Sequence, residues 1–249
     1  MIALVRSEWL KLRTVRSNIT MAIVAVALPL AITLLTAAFI GVDGVDERTV
    51  SSVLLGSGSL SVLLFGIIGV LAITQEYSQG TVRLTLAATP SRTRVYVAKA
   101  LVLIILSALL SGFIVLVGNF GGVAILESRD AIGALTNNDM GQAYLAMVAV
   151  GVLVALLGMS IGTLTRNPPS AVTFLVLWPL LLESLIGGLL SVAISDEIFK
   201  WMPFQTGMNA LRLQDSDMDF GRWGSVGYFG IWVLAFSLLA HLYLKRKDA

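Results

Sequence analysis

The chain has no cysteine, one histidine and little charge. The missing cysteine excludes disulfides, thiolate metal sites and a cysteine nucleophile. The single histidine, His241, leaves no multi-histidine metal site. There is no G-x-x-x-x-G-K-S/T, so the chain holds no nucleotide through a P-loop of its own, and there is no H-E-x-x-H. Basic residues are not interleaved with aromatics, which leaves nucleic-acid binding without support. Charged residues make up 13% of the sequence, about half the share of a typical soluble domain. That is too little polar surface to coat a water-soluble globule that is 57% hydrophobic.

The chain consists instead of six long stretches nearly free of charge. Every residue between Arg16 and Asp43 is uncharged, as between Arg48 and Glu76, Lys99 and Glu127, and Asp139 and Arg166. From Arg166 to Asp196 the one charge is Glu183; from Arg222 to Lys245 only His241 can titrate. A helix needs roughly 20 apolar residues to span the hydrocarbon core. With no water there, backbone polar groups must pair within the segment, as a helix does. Spans are expected over 18–40, 53–74, 97–119, 143–165, 170–194 and 224–244. The expected fold is all-α and polytopic, a single transmembrane domain over 1–249 with no room for a soluble domain. The first stretch is too long for a signal-peptide core and is expected to be retained.

Sorted by connection, one side of this bundle carries twelve basic and three acidic residues, the other five basic and eleven acidic. Lys and Arg translocate poorly, so the basic side, with both termini, is expected in the cytoplasm. Pro29 and Pro179 fall inside spans, where proline removes a backbone hydrogen bond and often kinks the helix. Gly56, Ser57, Gly58, Ser59 and Ser61 place small residues on the second span. Such residues permit close helix packing; a pore-lining face is the other reading.

Three segments do not span. Within residues 1–17, Ile2, Val5, Trp9 and Leu12 recur at helical spacing while Arg6, Lys11 and Arg13 fall elsewhere. An amphipathic helix of this kind lies flat at the inner interface, its basic residues on anionic lipid. The connection 75–96 is too polar for lipid contact and too long for a tight turn; Thr81 to Ala88 suits a short helix stopped before Pro90. Held at the membrane surface, such a helix would be a docking surface for a soluble partner. The connection 195–223 carries Ile198, Phe199, Trp201, Met202, Pro203, Phe204, Met208 and Leu211, too many large apolar groups to leave in water. It is expected to form a re-entrant or interfacial hairpin capping the bundle on its outer side.

Two patterns could carry chemistry. Gly158, Ser160 and Gly162 match G-x-S-x-G in the fourth span, and His241 lies in the sixth. This resembles an intramembrane rhomboid-type serine protease, in which serine needs a base within hydrogen-bond reach. In an apolar helix the same spacing is also the signature of helix packing. Glu183 is the only acid inside a span. Charge at that depth is expensive, so it reads either as a cation or proton site, as in an ion-coupled secondary transporter, or as an acid hydrogen-bonded across helices.

The opening Ser7-Glu8-Trp9-Leu10-Lys11-Leu12-Arg13, and Glu76-Tyr77 with Gly80-Thr81-Val82-Arg83, Pro90-Ser91-Arg92 and Lys99, resemble ABC-transporter permeases of the type-2 exporter class. The resemblance implies a multi-pass subunit of a bacterial cell membrane that is not itself an enzyme. It implies a second permease protomer, identical or not, and separate ATP-binding cassette subunits that hold ATP and Mg; this chain would need no cofactor. Glu76, Gly80, Thr81, Arg83, Pro90, Ser91 and Arg92 would then couple to the ATPase. Ser57, Ser59 and Glu183 are the candidates for the translocation path.

Overall fold

The computed structural model describes residues 1–41, 55, 57–129, 138–195, 198, 201–212 and 220–246; Gly56 and Phe199 lie outside them. Described residues form helices and turns and no strand. The order is α1 (Ile2–Thr14), α2 (Arg16–Phe39), α3 (Gly58–Ser78), α4 (Val82–Ala88), α5 (Arg92–Glu127), α6 (Asn138–Thr165), α7 (Pro168–Leu177), a π-helical turn (Trp178–Leu182), α8 (Glu183–Ala193), α9 (Pro203–Asn209) and α10 (Gly221–Arg246). Among the described residues, six segments are long and apolar enough to cross a membrane: α2, α3, α5, α6 from Met140, the α7–α8 unit and α10. Pro29 does not interrupt α2, whereas Pro179, which lacks the N–H a regular turn needs, lies in the π turn.

α3 and α6 form the centre of the bundle. Their most apolar windows are 61% and 67% buried, against 22% for the first, fifth and sixth spans. Glycine allows the contact. A Cβ at Gly69 would strike the Ala155 carbonyl, and one at Gly158 the Gly66 carbonyl, so the two backbones touch where a side chain would hold them apart. The outer helices expose Ile23, Leu35, Leu109, Leu189 and Leu234. Such faces are costly in water and suited to lipid.

The second span differs from its expected bounds. α3 runs four residues past 74 to Ser78 and carries Glu76 on the span helix, so the polar connection shrinks to 79–91. Gly80 at φ 69 turns the chain there, a left-handed conformation that costs glycine nothing. The end of α10, the N-terminal helix α1 and this connection share one end of the bundle. Arg92 donates to the Leu244 carbonyl at 2.8 Å, and the Arg166 guanidinium lies over the rings of Tyr77 and Tyr243 at 5.2 and 5.1 Å. At the opposite end Arg129 donates to the Ala37 carbonyl at 2.9 Å.

Candidate functional site

Where α1, α3 and α5 meet, two acids and two lysines form a closed ring. Lys99 Nζ donates to Glu8 Oε2 at 2.6 Å and to Glu76 Oε1 at 2.7 Å; its third proton reaches the Ala72 carbonyl at 3.2 Å. Lys11 Nζ donates to Glu8 Oε1 at 2.7 Å and to Glu76 Oε1 at 2.8 Å. Glu8, Glu76 and Lys99 are buried. Charges survive in such a place only when paired and fully hydrogen-bonded, and here they sum to zero. Each helix supplies its part by local spacing. Glu8 and Lys11 are three apart on one face of α1; Glu76 lies in the last turn of α3, and Lys99 early in α5. Burial pulls the Lys11 ammonium down, but its hydrogen bonds to Glu76 and Glu8 outweigh burial and hold it above the ordinary lysine value. Its contribution is therefore complete below the unfolded lysine value and is lost only as pH rises through the raised one.

The ring reaches α4. Lys11 Nζ donates to Thr85 Oγ1 at 3.3 Å, and Thr81 Oγ1 donates weakly to the Glu76 carbonyl at 3.5 Å. A cavity of about 320 Å³ lies beside this contact, lined by Gln79, Thr81, Leu84, Thr85 and all four charged residues. Arg83 and Leu84 of α4 are exposed, Leu84 to 72% although it also borders this cavity. Of the residues expected to couple to a partner, Gly80, Arg83 and Pro90 are exposed, while Thr81, Ser91 and Arg92 are half-buried. Glu76 is buried in the ring, where its carboxylate holds Lys11 and Lys99 and offers no surface of its own.

At the opposite end the expected hairpin contains α9, whose Phe204, Thr206 and Gly207 are buried. Phe204 packs edge-on against Phe229 of α10 at 5.8 Å. Glu183 fastens this helix to the fifth span. Its Oε1 accepts from the Phe204 N–H at 2.9 Å and the Trp178 indole at 3.1 Å, and its Oε2 from the Gln205 N–H at 2.9 Å. Pro203 opens α9 and has no N–H, so the carboxylate takes the next two donors of the helix end. Of the other path candidates, Ser57 is buried with its hydroxyl 2.6 Å from Thr33 Oγ1, and Ser59 is exposed.

The ABC-2 family transporter protein model matches residues 4–177. The chain belongs to the ABC-2 transporter family. Comparison with curated proteins returned no match. An ABC-2 membrane component is a permease, and the matched region takes in the ring, α4 and the glycine contact of α3 with α6.

In this ABC-2 chain Ser160 has no histidine partner. It is fully buried, and its Oγ lies 2.8 Å from the Leu156 carbonyl, 2.9 Å from Ser237 Oγ and 3.3 Å from the Tyr96 hydroxyl. His241 Nε2 lies 3.4 Å from Thr93 Oγ1, and its ring packs on Tyr96 at 5.5 Å. The serine–histidine reading is therefore corrected: Tyr96 contacts both groups, and Gly158 and Gly162 pack on α3. Among the described residues, no three His, Cys, Asp or Glu side chains form a group able to hold a metal ion. Sequence reasoning did not give Glu8, Lys11, Lys99, Thr85 or Leu84 a place in the site. The available signal was one acid, Glu8, in a basic helix, and one lysine, Lys99, at the head of a long apolar run.

Proposed function

We propose that this ABC-2 protein is the transmembrane permease subunit of an ATP-driven exporter, dimeric in the cell membrane and coupled at its cytoplasmic face to separate ATP-binding cassette subunits. The observation that carries the reading is α4, a seven-residue helix between two spans that leaves Arg83 and Leu84 exposed and rests on the charged ring through Thr85. A motor pressing on α4 pushes on α1, α3 and α5 together, because Lys11, Glu76 and Lys99 belong to one hydrogen-bonded unit. ATP and Mg sit in the motor, consistent with the lack of a P-loop here. ATP binding then shifts the paired permeases between two arrangements, and the work done is limited by the difference in affinity for the two. Gly80, Thr81, Pro90, Ser91 and Arg92 frame the docking helix; Ser57, Ser59 and Glu183 lie along the proposed path.

The test is co-purification. The wild-type chain should hold an ATP-binding subunit through affinity purification and raise its hydrolysis rate when reconstituted. Leu84→Glu with Arg83→Glu should lower retention and stimulated hydrolysis at least tenfold, with an unchanged unfolding temperature, because both side chains are exposed. Undiminished retention in that variant rejects α4 as the docking element.

A further inference from the structure

Between the fifth and sixth spans lies a cavity of about 330 Å³, in the range of small-molecule sites. Leu157 and Ile161 of α6 line it, as does the Trp201–Phe204 segment that leads into α9. Phe174, Trp178, Trp232 and Phe236 contribute to its walls, together with Glu183. Phe174 and Trp178 stack at 5.5 Å. Phe174 and Trp232 are 38% and 43% exposed, so the cavity opens sideways on the face that lipid would cover.

Its electrostatics are one-sided. Among the described residues, no lysine or arginine lines it. All three groups bonded to Glu183 are neutral N–H donors, an arrangement that fits the ionised carboxylate. They occupy three of its roughly four lone-pair positions without cancelling its charge, and in an apolar setting that charge is felt over a longer range than in water. Trp178 donates its indole N–H to this carboxylate, which leaves the ring more electron-rich. Aromatic faces carry the negative lobe of the ring quadrupole and attract cations, tryptophan most strongly. A hydrocarbon tail gains nothing from such an arrangement, since lipid offers it the same apolar contacts. An anion is repelled.

We infer that this crevice binds lipophilic organic cations, entering laterally from the bilayer, and that they are cargo of the permease. The positive centre rests on the ring faces, within the field of Glu183, while the three N–H donors stay in place. The cargo assignment rests on the exporter reading; binding itself does not.

The test compares tetraphenylphosphonium with neutral triphenylphosphine oxide, first on the purified chain and then on its complex with the ATPase. Equilibrium dialysis should give saturable binding of the cation at least tenfold tighter than that of the neutral compound. Trp232→Leu and Phe174→Leu should weaken cation binding at least fivefold. Trp223→Leu, an exposed change on α10 outside the cavity, should leave it unaltered. Glu183→Gln should bring the preference for the cation close to unity while neutral binding persists, which shows an intact pocket without its charge. Equal affinity for both compounds in the wild type, or a preference that survives Glu183→Gln, overturns the inference. In the complex, tetraphenylphosphonium should stimulate ATP hydrolysis. Binding without stimulation removes the cargo role and leaves the permease reading standing. Loss of the ATPase from the preparation defeats the permease reading, while dialysis on the isolated chain still decides the crevice.

Discussion

Glu76 and Glu183 are both buried acids on apolar spans, one in the last turn and one near the middle, and the protein treats them in opposite ways. Glu76 is neutralised by two lysines from other helices, and that ring binds α1, α3 and α5 into one piece. Glu183 meets only neutral N–H groups, two of them the first free amides of a short helix. The first solution suits an end that must move as a unit when pushed. The second fastens α9 to the fifth span and places the carboxyl group beside an aromatic cavity. The same residue type thus meets opposite partners, and the mechanical role proposed for one site and the recognition role proposed for the other follow that difference.

The largest effect should come from opening the ring. Lys99→Met leaves two buried carboxylates facing Lys11 alone, and removal of one partner from a buried ion pair costs about 3–5 kcal/mol. Thermal unfolding in detergent checks it, and stimulated ATP hydrolysis should fall with it. Adding Glu76→Gln should restore at least about 1 kcal/mol, because coupled sites are not additive. A loss below about 1 kcal/mol for Lys99→Met would place the ring among solvent-screened surface pairs and dissolve the comparison.

Glu183→Ala should come second. It strands the Phe204 and Gln205 amides and the Trp178 indole, and unsatisfied buried donors cost about 1–3 kcal/mol each, less where water can reach them. The expected total is roughly 2–4 kcal/mol. The damage should also be local. Hydrogen exchange at Phe204 and Gln205 should accelerate, while amides around Lys11 and Lys99 keep their protection. Acceleration at both ends would mean that the two regions are one cooperative unit.

The contrast was only half legible in the sequence. The spans were, because charge-free runs are a direct consequence of lipid solvation, and 168–193 and 221–246 fall close to their expected bounds. The short helix before Pro90 was also legible, since proline fixes its end. The ring was not, because Glu8 and Lys99 are 91 residues apart and meet only through tertiary packing. The expected end of the second span at 74 falls four residues early for the same reason: Glu76 reads as a polar boundary until Lys99 is seen to neutralise it. Glu183 stood out as a lone acid, but its partners are backbone amides, which no side-chain pattern reveals. Gly66 and Gly69 make the closest approach in α3, yet they sit in an apolar run that reads simply as membrane.

The hydroxyl cluster around Ser160 supplies the baseline against which both charged sites are measured. It is as deeply buried as they are, but every member is neutral. Ser160→Ala removes one hydroxyl and opens a space smaller than a methylene. Tyr96 keeps its bond to the Ser237 carbonyl at 3.3 Å, the Ser237 hydroxyl that loses its acceptor is only half-buried, and the net value of one neutral hydrogen bond is about 1 kcal/mol. Stability should therefore fall by no more than about 1 kcal/mol, with stimulated ATP hydrolysis unchanged. A loss as large as that of Glu183→Ala would show that burial rather than charge sets the cost, and the distinction between the two ends would then rest on geometry alone. Loss of activity with stability intact would return Ser160 to a chemical role that its three polar contacts do not support.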